Sequence, residues 1–236
     1  MQGKQLTEKY NTQFSERTIV EKIQVLVENH AGKVIFTTSF GYEDQVISDI
    51  IFKNNLDAKV VTLDTGRLFP ETYKVFRSTL EKYKKPIKVY FPPTNEVEKL
   101  LDEKGPFSFY ESVENRKECC FIRKVIPLKR ALSGNEIWIT GIRSSQSDNR
   151  SEMQEFEWDP VNEIVKFNPL MGWSIERTIE YIKENHVPYN VLHDKGFVSI
   201  GCEPCTRAIR QGEDIRAGRW WWERSSNKEC GLHSFE

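Results

Sequence analysis

Short apolar, β-branched runs alternate with amphipathic stretches along this chain, and that alternation limits its fold more than any other feature. Val34-Ile35-Phe36-Thr37, Ala58 to Leu63, Ile87 to Phe91 and Glu136 to Thr140 read as buried strands. Helical spacing lies between and around them. Ile19, Ile23, Leu26 and Val27 mark a helix over 15–29, with Ser15 as cap and Gly32 as stop. Val46, Ile47, Ile50 and Ile51 mark the next, and Tyr73, Phe76 and Leu80 another. A helix follows Pro92-Pro93 at 95–104, one spans 116–132 with a break at Pro127, and one runs from Ser174 to about Asn185. Strands alternating with helices predict an α/β fold, a mainly parallel sheet with helices on both faces. The 236 residues are enough for one such domain over 1–222, with a flexible polar tail over 223–236.

Three of the strands end in polar, glycine-containing loops: Ser39-Phe40-Gly41-Tyr42-Glu43-Asp44, Asp64-Thr65-Gly66-Arg67 and Gly141-Ile142-Arg143-Ser144-Ser145-Gln146. Ligands of open α/β sheets bind outside the carboxyl ends of the strands. Glycine lets the backbone approach closely, and a following helix offers N–H groups to a phosphate or sulfate. One such loop is an ordinary connection; three pointing to the same end of a sheet are a candidate site.

Charged residues make up 29% and hydrophobic ones 38%, with a net charge of -1, which gives no reason to expect nucleic acid or an anionic membrane as partner. No apolar run is long enough for a bilayer, and Met1-Gln2-Gly3-Lys4 lacks a signal-peptide core, so the cytoplasm is the expected compartment. Disulfides are rare there, so clustered cysteines favour metal binding or redox chemistry. Cys119 and Cys120 are adjacent, Cys202 and Cys205 form C-x-x-C, and these four thiols suit one metal site. Zinc accepts four thiolates. An iron–sulfur cubane gives each thiolate its own iron, so it tolerates neighbouring cysteines better. Spacing favours the cubane, and zinc stays the alternative.

The fifth cysteine lies in Lys228-Glu229-Cys230-Gly231-Leu232-His233, after the polar stretch 223–229. A thiol reacts as its thiolate, and Lys228 and His233 favour that form. The bland alternative is a chance surface cysteine near a frayed end. Lys124, Arg143, Arg150, Arg207, Arg210, Arg216 and Arg219 crowd the same stretches of sequence; guanidinium groups suit sulfate and phosphate recognition.

Cys119-Cys120, Gly201-Cys202-Glu203-Pro204-Cys205-Thr206-Arg207, Arg216-Ala217-Gly218-Arg219-Trp220 and Glu229-Cys230-Gly231-Leu232-His233 together resemble the iron–sulfur assimilatory sulfonucleotide reductases. These are adenylyl-sulfate (APS) reductases, relatives of the phosphoadenylyl-sulfate (PAPS) reductases, and the resemblance runs from about residue 30 to the end. It implies an adenine nucleotide alpha-hydrolase-like fold of the pyrophosphate-loop type. It implies one 4Fe-4S cluster per subunit, on Cys119, Cys120, Cys202 and Cys205. Cys230 would be the nucleophile, His233 its motif partner, and Lys124 the link between cluster and substrate sulfate. Arg150, Arg216 and Arg219 match substrate-binding arginines, and Leu63 and Gly141 match backbone contacts to the nucleotide. Segment 38–44 matches the modified pyrophosphate loop; Phe40 stands where many relatives have serine, which leaves Thr38 and Ser39 as the hydroxyls. Thr38, Ser39, Gly41, Leu63, Asp64, Gly66, Gly141 and Arg143 complete the expected substrate site.

The implied reaction is thioredoxin-dependent reduction of APS to sulfite and AMP in sulfate assimilation, through an S-sulfocysteine on Cys230. PAPS, or both nucleotides, is the alternative substrate; another dithiol is the alternative reductant. A homo-oligomer is expected, with no nucleic acid or membrane partner. Two other classes compete. Pyrophosphate-loop ligases carry Ser-Gly-Gly-x-Asp-Ser, from which Ser39-Phe40-Gly41-Tyr42-Glu43-Asp44 departs, and this counts against ATP cleavage. A non-catalytic iron–sulfur or zinc module would not need Cys230.

Overall fold

The computed structural model describes residues 2–146 and 153–223. Six strands, β1 (Val34–Thr38), β2 (Lys59–Leu63), β3 (Lys88–Tyr90), β4 (Ile137–Ile139), β5 (Phe156–Asp159) and β6 (Ile164–Phe167), form one sheet in the order β3-β2-β1-β4-β6-β5. β1 pairs in parallel with β2 and with β4, and β4 in parallel with β6; β5 runs antiparallel to β6. The mostly parallel sheet is the one expected from the alternation. Its strand order reverses between β1 and β4, with β2 on one side of β1 and β4 on the other, and such a switch point is where α/β folds leave a crevice.

The helices are α1 (Gln2–Gln13), α2 (Ile19–Asn29), α3 (Tyr42–Lys53), α4 (Pro70–Tyr83), α5 (Thr94–Lys104), α6 (Val113–Cys120), α7 (Ile126–Leu132) and α8 (Ile175–Glu184). α2 starts later than Ser15 would have it. Thr18 is the cap: its hydroxyl accepts from Glu21 N, and Glu21 Oε2 accepts from Thr18 N at 2.8 Å, a reciprocal capping box. Pro127 does not break the segment after Cys120. A π-helical stretch, Phe121–Val125, joins α6 to α7, and Pro127 falls in the first turn of α7, where no N–H is missed.

Three elements carry no clear sequence signal: α1, β5 and β6. β6 is buried at all four positions and includes Lys166, whose ammonium lies 5.4 Å from the Trp138 ring centroid. A lysine in a fully buried strand hides the strand from pattern reading. β5 is the sheet edge, and α1 covers it. Asn11 Nδ2 donates to Phe156 O at 2.9 Å and Asn11 Oδ1 accepts from Phe156 N at 3.0 Å, so one side-chain amide stands in for a neighbouring strand.

The chain divides into two compact units. The first comprises Met1–Thr62, Glu71–Lys88 and Gly134–Asn190, and the second Leu63–Pro70, Val89–Ser133 and Val191–Glu236. The first holds the continuous apolar core of the sheet, including Phe36, Val46, Ile47, Ile139, Phe167 and Ile182. The second has a much smaller core in which Leu100, Phe109, Ile122 and Trp220 pack around cysteines.

Candidate active site

In the first unit the site residues stand where β1 and β4 end. Thr38 is buried, and its hydroxyl accepts from Phe40 N at 3.0 Å. That turn puts Phe40 in the left-handed region, at φ 62°, which is costly for a bulky residue. Burial offsets the cost, since the Phe40 ring stacks on Phe76 at 5.0 Å between centroids. Phe40 therefore serves as an anchor that fixes the loop. Gly41 caps α3 without a side-chain hydrogen bond, so the opening turn of the helix keeps backbone donors of the kind that bind anions.

Asp44, in that opening turn, is buried and reaches back to the loop. Its Oδ2 accepts from Ser39 N at 2.5 Å and from Ser39 Oγ at 2.6 Å. Burial pushes its carboxyl up to about 6, against the pull of the Ser39 and Gly41 hydrogen bonds. Gly141, after β4, packs directly on the Asp44 carboxylate. Arg143 is buried, and it binds Glu43 Oε1 through Nε and Ser145 Oγ through Nη1, both at 2.6 Å. Its guanidinium thus braces the β1 and β4 loops.

In the second unit, Leu63 ends β2, and Asp64 Oδ1 accepts from Gly66 N at 2.8 Å in a tight turn that sets Gly66 at φ 71°. Thr65 follows the same turn inward: its hydroxyl lies 3.2 Å from Cys202 Sγ, and its carbonyl accepts from Arg123 Nη1 at 2.7 Å. Cys119, Cys202 and Cys205 are buried and Cys120 is half-buried, all four free and all in one apolar group with Trp220 and Trp222. The turn Glu203–Cys205 brings Cys205 N to Cys202 O at 3.0 Å, and Trp220 N donates to Cys205 O at 3.1 Å. Segments far apart in sequence therefore deliver their thiols to one place.

Burial pushes the Cys205 thiol up to about 12, reinforced by Cys202 and opposed by Lys124 and Arg219. Burial also raises Cys119, with Arg123 opposing. Lys124 sits half-buried in the π-helical stretch. The Arg219 guanidinium lies 4.8 Å over the Trp220 ring and against Gly201, where a Cβ would come within 2.5 Å of its Nη2. Arg207 is committed to Glu213 through both terminal nitrogens, at 2.7 and 3.1 Å. Arg216 is half-buried, with its backbone N donating to Asp214 Oδ1 at 2.7 Å. Among the described residues, no three or more His, Cys, Asp or Glu are disposed to hold a metal ion. Four buried N–H donors beside the thiols find no acceptor there: Trp220 Nε1, Trp222 Nε1, Arg123 Nε and Arg219 Nε.

Arg150, Cys230 and His233 lie outside the described residues. Sequence reasoning missed Thr65, Arg123 and the Arg116–Glu223 pair, whose signals depend on partners distant in the chain. It also gave Asp44 no role of its own.

A mostly parallel sheet with a glycine-containing loop at its switch point, and a second unit in which four thiols share one apolar group, define the class: an α/β protein with a cysteine-bearing second unit. The comparisons narrow this. Residues 33–208 match the phosphoadenosine phosphosulfate reductase domain, and the chain belongs to that family. It is 48% identical to the adenosine 5'-phosphosulfate reductase of Sinorhizobium fredii, over 89% of this chain and 84% of that protein. It is 42% identical to the adenosine 5'-phosphosulfate reductase of Allochromatium vinosum, over 98% and 93%. The crystal structure of phosphoadenylyl-sulfate reductase from Candida auris, a phosphate complex, superposes with a TM-score of 0.72 at 30% identity, covering 86% of this chain and 96% of that one.

Proposed function

We propose that this protein reduces adenosine 5'-phosphosulfate to sulfite and AMP in the cytoplasm, in sulfate assimilation, with thioredoxin or a similar dithiol as reductant. The convergence of Cys119, Cys120, Cys202 and Cys205 in one buried group carries the reading. The named relatives support APS over PAPS, because they are more similar to this chain than the PAPS reductase is.

Cys230 is the nucleophile. Its thiolate attacks the sulfate sulfur, the S–O bond to the phosphate breaks, and the electron pair leaves with AMP, giving Cys230 S-sulfonate. A thiolate of the dithiol then attacks Cys230 Sγ, and sulfite departs with the bonding pair. The second thiol closes the reductant's disulfide and frees Cys230, so the two electrons come from the dithiol. Thr38, Ser39, Gly41, Leu63, Asp64, Gly66 and Gly141 bind the nucleotide, and Arg143 braces the β1 and β4 loops. Lys124, Arg150, Arg216 and Arg219 neutralise the sulfuryl and phosphoryl oxygens as charge moves to the leaving group. His233 favours the Cys230 thiolate.

The four thiols suit a 4Fe-4S cluster. The adjacency of Cys119 and Cys120 is what favours it over zinc, because a cubane gives each thiolate its own iron. The four unsatisfied N–H donors suit a sulfur-rich anionic group. Bound there, the cluster would supply a fixed charge distribution beside Lys124.

The test is incubation with sulfur-35-labelled APS and, separately, PAPS, without reductant. Label on Cys230 from APS, released as sulfite by thioredoxin, is expected; absence of an adduct from either nucleotide would sink the mechanism. Iron and acid-labile sulfide, assayed against zinc, decide the metal.

A further inference from the structure

We propose that Asp44 is a positioning residue that holds the two strand-end loops of the first unit in register for the nucleotide, acting through Ser39 and Gly141. The inference rests on the reductase reading above, and it assigns a role that the expected ligand contacts leave open.

Asp44 stands in the first turn of α3, where a carboxylate ordinarily satisfies the backbone N–H of the capping residue. Here it does more. It holds both the N–H and the hydroxyl of Ser39, two residues ahead of the capping Gly41. Ser39 is exposed while Asp44 is buried, so the carboxylate grips the loop from behind and leaves the solvent side of Ser39 open.

Its other oxygen determines Gly141. A Cβ built on Gly141 would overlap Asp44 Oδ1, while its next nearest atoms, Asp44 Cγ and Glu43 Cβ, lie 3.3 Å away. Gly141 is not among the glycines with positive φ, so the backbone does not require glycine there. The carboxylate does. Asp44 thus touches the β1 loop by hydrogen bonds and the β4 loop by close packing. The Glu43–Arg143–Ser145 chain spans the same two loops next to it. Loops tied at two points have little freedom, and holding binding groups in fixed geometry is what affinity and orientation need.

The contact predicts an unusual rescue. Gly141→Ala should push the carboxylate away and loosen the β1 loop, but only while Asp44 is present. We expect Asp44→Ala and Gly141→Ala each to weaken AMP binding by on the order of tenfold, measured by calorimetry on the full chain. The double variant should bind no more weakly than Asp44→Ala alone, and Asp44→Asn, which keeps an acceptor for Ser39, should lose less. In steady-state assays with APS, Asp44→Ala should raise KM far more than it lowers kcat. Asp44→Ser is short enough to clear Gly141 and carries the same comparison if Asp44→Ala does not fold. Unaltered AMP affinity in a folded Asp44 variant, or losses that multiply in the double variant, would overturn the proposal. Failure of the wild-type chain to bind AMP would instead overturn the nucleotide reading itself.

Discussion

Asp44 shows what a single buried carboxylate costs at a loop that has to hold its shape. Burial outweighs the hydrogen bonds it accepts, chiefly from Ser39, so its folded value of about 6 stands above the ordinary 3.8. The folded state therefore holds the proton more tightly than the unfolded chain does. Its contribution to stability is complete below about pH 4 and is lost as pH rises through 6. At neutral pH the loss is on the order of 3 kcal/mol, from about 1.4 kcal/mol per pK unit. Asp44→Asn removes this titration. Thermal melts of the two proteins between pH 4 and pH 8 should show the wild type losing ground to the variant as pH rises to 7. A constant difference in Tm would mean that Asp44 ionises freely in the fold. Keeping a carboxylate at that cost is consistent with strain retained where function needs it.

The stretch from α6 through the π-helical turn to α7 carries Cys119, Cys120, Arg123 and Lys124, and it shows which parts of an element can be read in sequence. Helical periodicity and the ligand-type cysteine pair were plain. The π turn was not, because it is one extra residue in an otherwise helical pattern. Arg116 looks like an ordinary surface residue in the sequence, yet it is buried. It pairs with Glu223 through Nε to Oε1 at 2.8 Å and Nη2 to Oε2 at 2.9 Å, and it lies 4.5 Å over Trp220. Nothing near Arg116 announces a partner 107 residues away. The same reason hid β6, where Lys166 interrupts an apolar strand, and α1, whose Asn11 satisfies Phe156 across the sheet edge. Local signals such as the strand runs and the helix start at Ser174 are legible, and in the structure Ser174 caps that helix. The ion pair yields a prediction at this scale. Glu223→Ala leaves a buried guanidinium without its counter-charge and should cost about 3–5 kcal/mol in urea unfolding. Replacing both partners, Arg116→Met with Glu223→Leu, should recover most of it; an equal loss in the double variant would show that the charges themselves are required.

At the scale of the whole molecule the two units have different grounds for stability, and each can be considered alone. The first has a sheet whose strands are buried from Val34 to Phe36 and from Ile137 to Ile139, with apolar side chains packed on it from α2, α3 and α8. Burial of that extent sustains a domain by itself. In the second, the apolar cluster around the thiols has seven buried residues among those described, and three of them are cysteines. Thiols add little packing, and among the described residues Trp220 Nε1, Trp222 Nε1, Arg123 Nε and Arg219 Nε lack acceptors. A group bound to those thiolates would close both deficits, and binding energy to the folded state is stability. Anaerobic removal of iron by a chelator should therefore act unevenly. Amide hydrogen exchange is expected to accelerate in α5, in α6 through α7 and in Glu203–Cys205, while β1 and β4 keep their protection. Equal loss of protection in β1 and β4 would mean that the sheet depends on the metal as well. Unchanged exchange in α6 after complete loss of iron would mean that the second unit stands on its apolar contacts alone.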